Sequence, residues 1–398
     1  MRISSNTLFD SGVAALNQQQ ARMLHTQQQI ASGRRILTAS DDPVAAARAL
    51  DVNQSDTMNT QYASNRETAR HSLSIAEGTL QSVTSLLVDV RTATIGAGNG
   101  SLSNSERKTI AADFSGRLEE LIGLANSTDG IGNYLFSGFQ SRTLPFAGTP
   151  AGVGYFGDSG QRLVQVSASR QMASGNSGAD IFMRIKNGNG TFDIQAAASN
   201  TGSGIVSPGS VSNPALLTGN NYSVSFSVTG AVTTYDITNT TTATVVSSGN
   251  PYVSGQAIIF DGMQTSIKGA PANGDVFTVA SSTNQSVFKT ISDLINALNT
   301  PVVGANLSNS LLRGINNLDN ALSNVLNTRA SLGLRLNEID SLQLAGEDLG
   351  LQFKQTLSQL QDVDYNKAIS DLTQQQMTLQ AAQKSLAKVA GLSLFDYL

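Results

Sequence analysis

Two histidines, one pair of adjacent aspartates and two glycine-rich strings are the residues of this chain with chemical potential. His25 and His71 stand 46 residues apart, and neither has a second histidine three or four positions away, the spacing by which one helix face offers two imidazoles to a metal. Cysteine is absent, which excludes a thiolate nucleophile, a zinc knuckle, an iron–sulfur cluster and any disulfide framework. Asp41 and Asp42 form an acid–base pair on paper, yet Pro43 and the alanine-rich stretch from Val44 to Leu50 follow them. Asp42 as N-cap with Pro43 at the first helical position accounts for the trio without catalysis, and Asp41 adds negative charge at the helix amino end. Gly152-Val-Gly-Tyr-Phe-Gly157 matches the dinucleotide fingerprint as a string, but a turn and a strand follow it where the pyrophosphate needs a helix amino terminus. Gly96-Ala-Gly-Asn-Gly100 follows a helical pattern and lacks the Lys-Ser/Thr partner of a phosphate loop. No Gly-x-Ser-x-Gly elbow occurs with plausible partners. The expectation is a protein that is not an enzyme, with no catalytic, cofactor-binding or metal site.

Composition narrows the partners further. With 25 Lys and Arg against 29 Asp and Glu the 398-residue chain carries a net charge of −4, so it has no basic excess for nucleic acid or anionic membrane surfaces. The stretch from Met1 to Asp10 has one basic residue and no apolar core after it, so no cleaved secretory signal is expected. No uncharged apolar run approaches the roughly 18 residues of a membrane span.

The elements that remain are structural. Residues 140–287 hold six of the eight prolines and 19 of the 36 glycines but only 12 of the 54 charged residues, the profile of strands joined by turns. Strands are expected at Leu163 to Val166, Tyr222 to Val228, Val232 to Thr238, Ala257 to Phe260 and Val276 to Val279. On either side, apolar residues recur three and four apart. Ala69, Leu73, Ala76, Leu80, Val83, Leu87 and Val90 define one seam, and Ile110, Phe114, Leu118, Leu121 and Ala125 a second, separated by a loop from Gly96 to Asn104. Phe288, Ile291, Ile295 and Leu298 suggest a short helix stopped before Pro301. A long one follows through Leu311, Ile315, Leu318, Leu322, Val325, Arg329, Leu332, Leu336 and Ile339, continuing to Leu360, with a break expected between Gln361 and Tyr365.

The two ends share a pattern in which one heptad position is apolar and the other largely glutamine. Val13, Leu16, Gln20, Met23, Gln27 and Ile30 step along the first end, and Ile369, Leu372, Gln376, Leu379, Gln383 and Leu386 along the last. Glutamine donates and accepts hydrogen bonds without a desolvated charge, which suits repeated contacts between subunits. Because only about half of each seam is apolar, residues 1–42 and 362–398 are expected to be disordered in the monomer and to fold when neighbours cover them, the alternative being an ordinary helical hairpin stable by itself. The predicted organisation is therefore α+β. Long terminal helices form a coiled-coil or helical-bundle stalk, made of a terminal coiled-coil domain (1–42 and 362–398) and a helical-bundle domain (43–139 and 288–361), with a β-rich domain inserted at 140–287.

Several strings then become familiar. Met1-Arg-Ile-Ser4 with Phe9, Gln27-Gln-Gln-Ile-Ala-Ser-Gly-Arg-Arg-Ile36 and Ser40-Asp-Asp-Pro43 resemble the amino-terminal region of the bacterial flagellin family. Tyr134-Leu-Phe-Ser-Gly138, Asp362-Val-Asp-Tyr-Asn-Lys-Ala368, Gln374 to Ala382 and Ser393 to Leu398 look like the hook-associated members of that family, and the resemblance covers about 250 residues of helical flank. It implies an extracellular structural subunit joining hook to filament, exported without a cleaved signal peptide through the flagellar type III apparatus. The implied partners are hook-associated protein 1, flagellin, further copies of the chain in a ring and an export chaperone over the carboxy-terminal helix. Flagellin itself is the nearest rival, although flagellins tend to carry Lys-Asp-Asp-Ala where this chain has Ser40-Asp-Asp-Pro43. A surface adhesin or carbohydrate-binding module, with residues 140–287 as the binding part, is the alternative from another class.

Overall fold

The computed structural model describes residues 5–149, 152–300 and 304–391. Among the described residues six α-helices carry the flanks: α1 Ser5–Ser32, α2 Pro43–Ala97, α3 Asn104–Ala125, α4 Val287–Asn299, α5 Ala305–Gln361 and α6 Tyr365–Gly391. Between α3 and α4 the described residues form fifteen short strands. They are β1 Phe146–Thr149, β2 Gly152–Tyr155, β3 Leu163–Ser167, β4 Arg170–Ala173, β5 Ile185–Lys186, β6 Phe192–Ala196, β7 Ile205–Val206, β8 Ser210–Val211, β9 Tyr222–Thr229, β10 Val232–Asn239, β11 Thr244–Pro251, β12 Ala257–Phe260, β13 Met263–Lys268, β14 Val276–Ser281 and β15 Asn284–Gln285. Terminal helices around a central β-rich region are thus the architecture that periodicity and composition indicate. The chain divides into two compact units, Met1–Ser64 with Ser341–Leu398 and Asn65–Asp340, and both boundaries fall inside α2 and α5.

Local chemistry sets the helix ends of the larger unit. Ser103 and Glu106 form a capping box at α3: the serine Oγ accepts from the Glu106 N–H, and the Glu106 carboxylate accepts from the Ser103 N–H at 2.7 Å. Ser286 caps α4 through the Lys289 N–H at 3.1 Å. At the other end of α4, Thr300 is extended (ψ 133), the conformation a residue before proline adopts, while Pro301 itself lies outside the described residues.

Burial follows the seams. Every residue from Ala69 to Val90 in the first seam is buried, as are Phe114, Leu118, Leu121 and Ala125 of α3 and Phe288, Ile291, Ile295 and Leu298 of α4. Arg329 occupies a seam position of α5 because its guanidinium reaches Glu77 Oε1 on α2 at 2.7 Å. Phe146, Phe182 and Phe288 pack ring on ring, with centroids 5.4 Å apart for Phe146 and Phe182 and 5.2 Å for Phe146 and Phe288.

Five strands in the order β11-β10-β9-β14-β6 form one antiparallel sheet, and β12-β13-β7, with β8 also on β13, form another. Their core contains Tyr222, Val224, Phe226, Phe260, Ile267 and Phe277. The β12–β13 turn is Asp261-Gly262, both at positive φ (42° and 78°), as a two-residue type I′ hairpin requires. Asp261 also accepts a hydrogen bond from the buried Tyr222 hydroxyl at 2.6 Å, which ties the turn to the first sheet.

A row of amides along α5 holds the β region. Asn306, Asn309, Asn317, Asn320 and Asn324 recur at helical spacing, and each bonds to main-chain atoms. Asn309 is buried: its Nδ2 donates to the Gly204 carbonyl at 3.0 Å and its Oδ1 accepts from the Val206 N–H at 2.9 Å. Asn317 Oδ1 accepts from the Gly188 N–H, Asn320 Nδ2 donates to the Lys186 and Gly188 carbonyls, and Asn324 Nδ2 to those of Asp180 and Ile181. Within this row Arg313 grips Asp193, whose carboxylate is 3% exposed, at 2.6 Å.

Candidate assembly surface

The terminal unit is built on the pairing of α1 with α6. A Cβ on Gly12 would stand 2.7 Å from Leu386 Cδ1, and one on Gly33 would stand 3.2 Å from the Tyr365 hydroxyl oxygen. A step of 21 residues up one segment thus matches a step of 21 down the other, so the pair is antiparallel over about 30 Å. Leu379 is buried, and Val13, Leu16, Met23, Gln27, Ile30, Leu372 and Leu386 are half-buried. Gln20, Ile369, Gln376 and Gln383 are exposed on the single chain. One residue before the expected polar positions, Gln19 and the buried Thr26 on α1 and Gln375 and Ala382 on α6 turn inward. The Gln375 Oε1 is itself buried without a hydrogen-bond partner.

Beyond α1 the chain turns through Gly33, at φ 70°. Arg34 and Asp362 then form an isolated antiparallel bridge, with the Arg35 N–H donating to the Gln361 carbonyl at 2.6 Å and the Val363 N–H to that of Gly33 at 3.0 Å. The Arg35 guanidinium donates to the Leu360 carbonyl at 2.9 Å, at the carboxyl end of α5, where a cation complements the helix dipole. Asp42 Oδ1 accepts from the Ala45 N–H at 3.0 Å, with Pro43 the first residue of α2. Asp41 binds instead to the loop before it. The Thr38 N–H foremost, with the Leu37 N–H and the His25 ring, holds its carboxyl below the usual carboxylate range. His25 and Asp41, 3.1 Å apart, are a local tie, and His71 is an exposed residue of α2.

Burial separates this unit from the other. Among the described residues it contributes only Ala45, Ala49, Ala368 and Leu379 to the buried apolar set, while exposing eleven large apolar side chains, among them Phe9, Leu24, Leu50, Leu344, Ile369 and Met377.

The strings that resemble chemical motifs fold otherwise. Gly152 to Tyr155 is strand β2 of a two-stranded hairpin with β1, and Gly98 and Gly100 lie in the loop after α2. Among the described residues no group of three His, Cys, Asp or Glu side chains can hold a metal, and no helix is long and apolar enough to cross a membrane. A cleft of about 320 Å³ between β6, α4 and α5 has a mixed polar and apolar lining that includes Asn306, Asn309 and Asn317 of the amide row, with Arg313 already held by Asp193. The terminal strings Met1 to Ser4 and Ser393 to Leu398 lie outside the described residues.

Comparison with known proteins identifies both flanks. Residues 3–141 match the bacterial flagellin N-terminal helical region and residues 315–398 the C-terminal helical region. Residues 195–281 match the D2-like domain of flagellar hook-associated protein 1, a relationship that no motif in the insert betrays. Flagellar hook-associated protein 3 of Salmonella typhimurium is 29% identical over 401 residues, across 100% of this chain and 99% of that protein. Among solved structures, the flagellar junction protein FlgL of Legionella pneumophila is 32% identical with a TM-score of 0.72, covering 79% of this chain and 100% of that one. FlgL of Xanthomonas campestris is 32% identical with a TM-score of 0.71, covering 77% and 99%. With flagellin-type helical regions at both ends and full-length likeness to these proteins, the chain belongs to the flagellar hook-associated protein 3 family and is a structural component of the bacterial flagellum.

Proposed function

We propose that this chain joins hook to filament, assembling through its terminal helices as a ring of copies between hook-associated protein 1 and flagellin. The observation that carries the reading is the burial imbalance of the terminal unit, eleven exposed large apolar side chains against four buried apolar residues. The description of the Legionella relative as a flagellar junction protein supports the same position. In this reading Val13, Leu16, Gln20, Met23, Gln27 and Ile30, with Ile369, Leu372, Gln376, Leu379, Gln383 and Leu386, form the assembly seam. Its exposed members Gln20, Ile369, Gln376 and Gln383 are free to meet neighbouring subunits. The ends, 1–42 and 362–398, are disordered in the dilute monomer. The chain leaves the cell by the flagellar type III route without a cleaved signal, an export chaperone covering α6 until then, and its role is structural, not catalytic. Deleting the gene tests the reading: cells that make hooks but shed flagellin into the medium support it, and normal filaments refute it. Glycan binding by the full chain with filament growth intact after deletion would favour an adhesin instead.

A further inference from the structure

The connections α1–α2 and α5–α6 meet as one object. The bridge between Arg34 and Asp362 is flanked by the two hydrogen bonds of Arg35 N–H to Gln361 and Val363 N–H to Gly33. The Arg35 side chain adds a bond to Leu360 and lies 3.5 Å from Asp42, the cap of α2. Gln29, in the last turn of α1, donates to the Arg35 carbonyl. Four helix ends are therefore tied within a few residues, by main-chain bonds in the middle and by one guanidinium that spans the carboxyl end of α5 and the amino end of α2. We propose that this clasp is a conformational coupling device: it stays closed in the assembled flagellum and makes α1 and α6 a single end-piece, so that capture of either helix by neighbouring subunits positions the other. This rests on the reading of the terminal helices as the assembly surface.

The chain has no cysteine, so an introduced pair reports without background. Residues facing each other between the two hydrogen bonds of an antiparallel bridge have Cα atoms about 4.5 Å apart, within disulfide range. In the full chain, Arg34→Cys with Asp362→Cys should cross-link within the chain on oxidation of isolated flagella, without loss of swimming. Val363→Pro removes the N–H bonded to Gly33 and should reduce the fraction of swimming cells at least tenfold, whereas Val363→Ala should change it less than twofold. Adding the cysteine pair to Val363→Pro should restore swimming under oxidising conditions and not under reducing ones. Oxidation that halts swimming reversibly, a pair that stays reduced in flagella, or a proline variant that the disulfide does not rescue would each overturn the proposal. If the unaltered chain fails to restore swimming to a strain lacking it, the assembly reading fails, whereas a chain that restores swimming while the cysteine pair in its flagella stays reduced overturns the clasp alone.

Discussion

Gly12 lies against Leu386, so closely that a methyl group on the glycine would stand 2.7 Å from the leucine Cδ1. The atom in the way is the far end of a flexible side chain, and alanine is favoured over glycine in a helix by about 1 kcal/mol. Gly12→Ala is therefore expected to be tolerated. Gly12→Ile, branched at Cβ, should force the helices apart and reduce swimming at least tenfold, and Leu386→Ala in the same chain should recover much of the loss. Equal damage from alanine and isoleucine would show that the close approach is not needed.

Arg313 and Asp193 set a second expectation. The Asp193 carboxylate is 3% exposed and also accepts from the side chains of Asn187 and Gln195. Removing one member of a buried ion pair leaves the other charge uncompensated, at a cost of about 3–5 kcal/mol, whereas replacing both by groups of similar shape costs far less. Urea unfolding should find Arg313→Ala strongly destabilised and the double variant Arg313→Met with Asp193→Asn much closer to the parent.

Asn309 should outrank Asn324 among the amides of α5. Truncating Asn309 to alanine leaves the Gly204 carbonyl and the Val206 N–H without their partner, at about 1–3 kcal/mol for each group so exposed in a dry site. Asn324 is half-buried, and water can take over its two carbonyls. The shift in urea midpoint for Asn324→Ala should be less than half that for Asn309→Ala.

Asp158 gives a pH signature. Its carboxylate accepts from the N–H groups of Phe139, Gly160 and Gln140 at 2.9, 2.7 and 3.1 Å, and these bonds hold it below its usual value of 3.8 against an opposing effect of burial. A carboxyl depressed by folding stabilises the folded state above its free value, and that contribution fades as pH falls through the folded one. Protection of the Phe139 and Gly160 amides, taken relative to their intrinsic exchange, should fall only below pH 3.8, and Asp158→Asn should show the lowered protection already at neutral pH.

Helical spacing was the most legible feature of the chain, because each of the long seams repeats an apolar residue on one face often enough to outweigh exceptions such as Arg329. The strands legible in the sequence, β3, β9, β10, β12 and β14, carry alternating or β-branched residues, as do β6 and β13, which the sequence reading does not single out. Strand β11 and its sequence Thr-Val-Val-Ser-Ser-Gly-Asn-Pro offered no such alternation, since it lies at the sheet edge and needs no buried face. In the terminal seams the apolar residues other than Ile369 are buried or half-buried on the single chain, while Gln19 and Gln375 turn inward beside the exposed Gln20 and Gln376, a choice that runs of three glutamines leave open. The amide row of α5 escaped notice because asparagine at helical spacing looks like a solvated face. Its signal was there, in Asn306, Asn309, Asn317, Asn320 and Asn324 running beside an apolar seam.

That row grips carbonyl and N–H groups, which every residue except proline supplies in full. At Lys186, Ala198, Asn200 and Gly204 it reads the main-chain carbonyl. Mutational drift across the insert therefore leaves the attachment intact as long as the path of the main chain is kept. One helix can carry outer domains of diverged sequence, and a graft between homologues should need to match loop geometry at these few carbonyls, with little regard for residue identity.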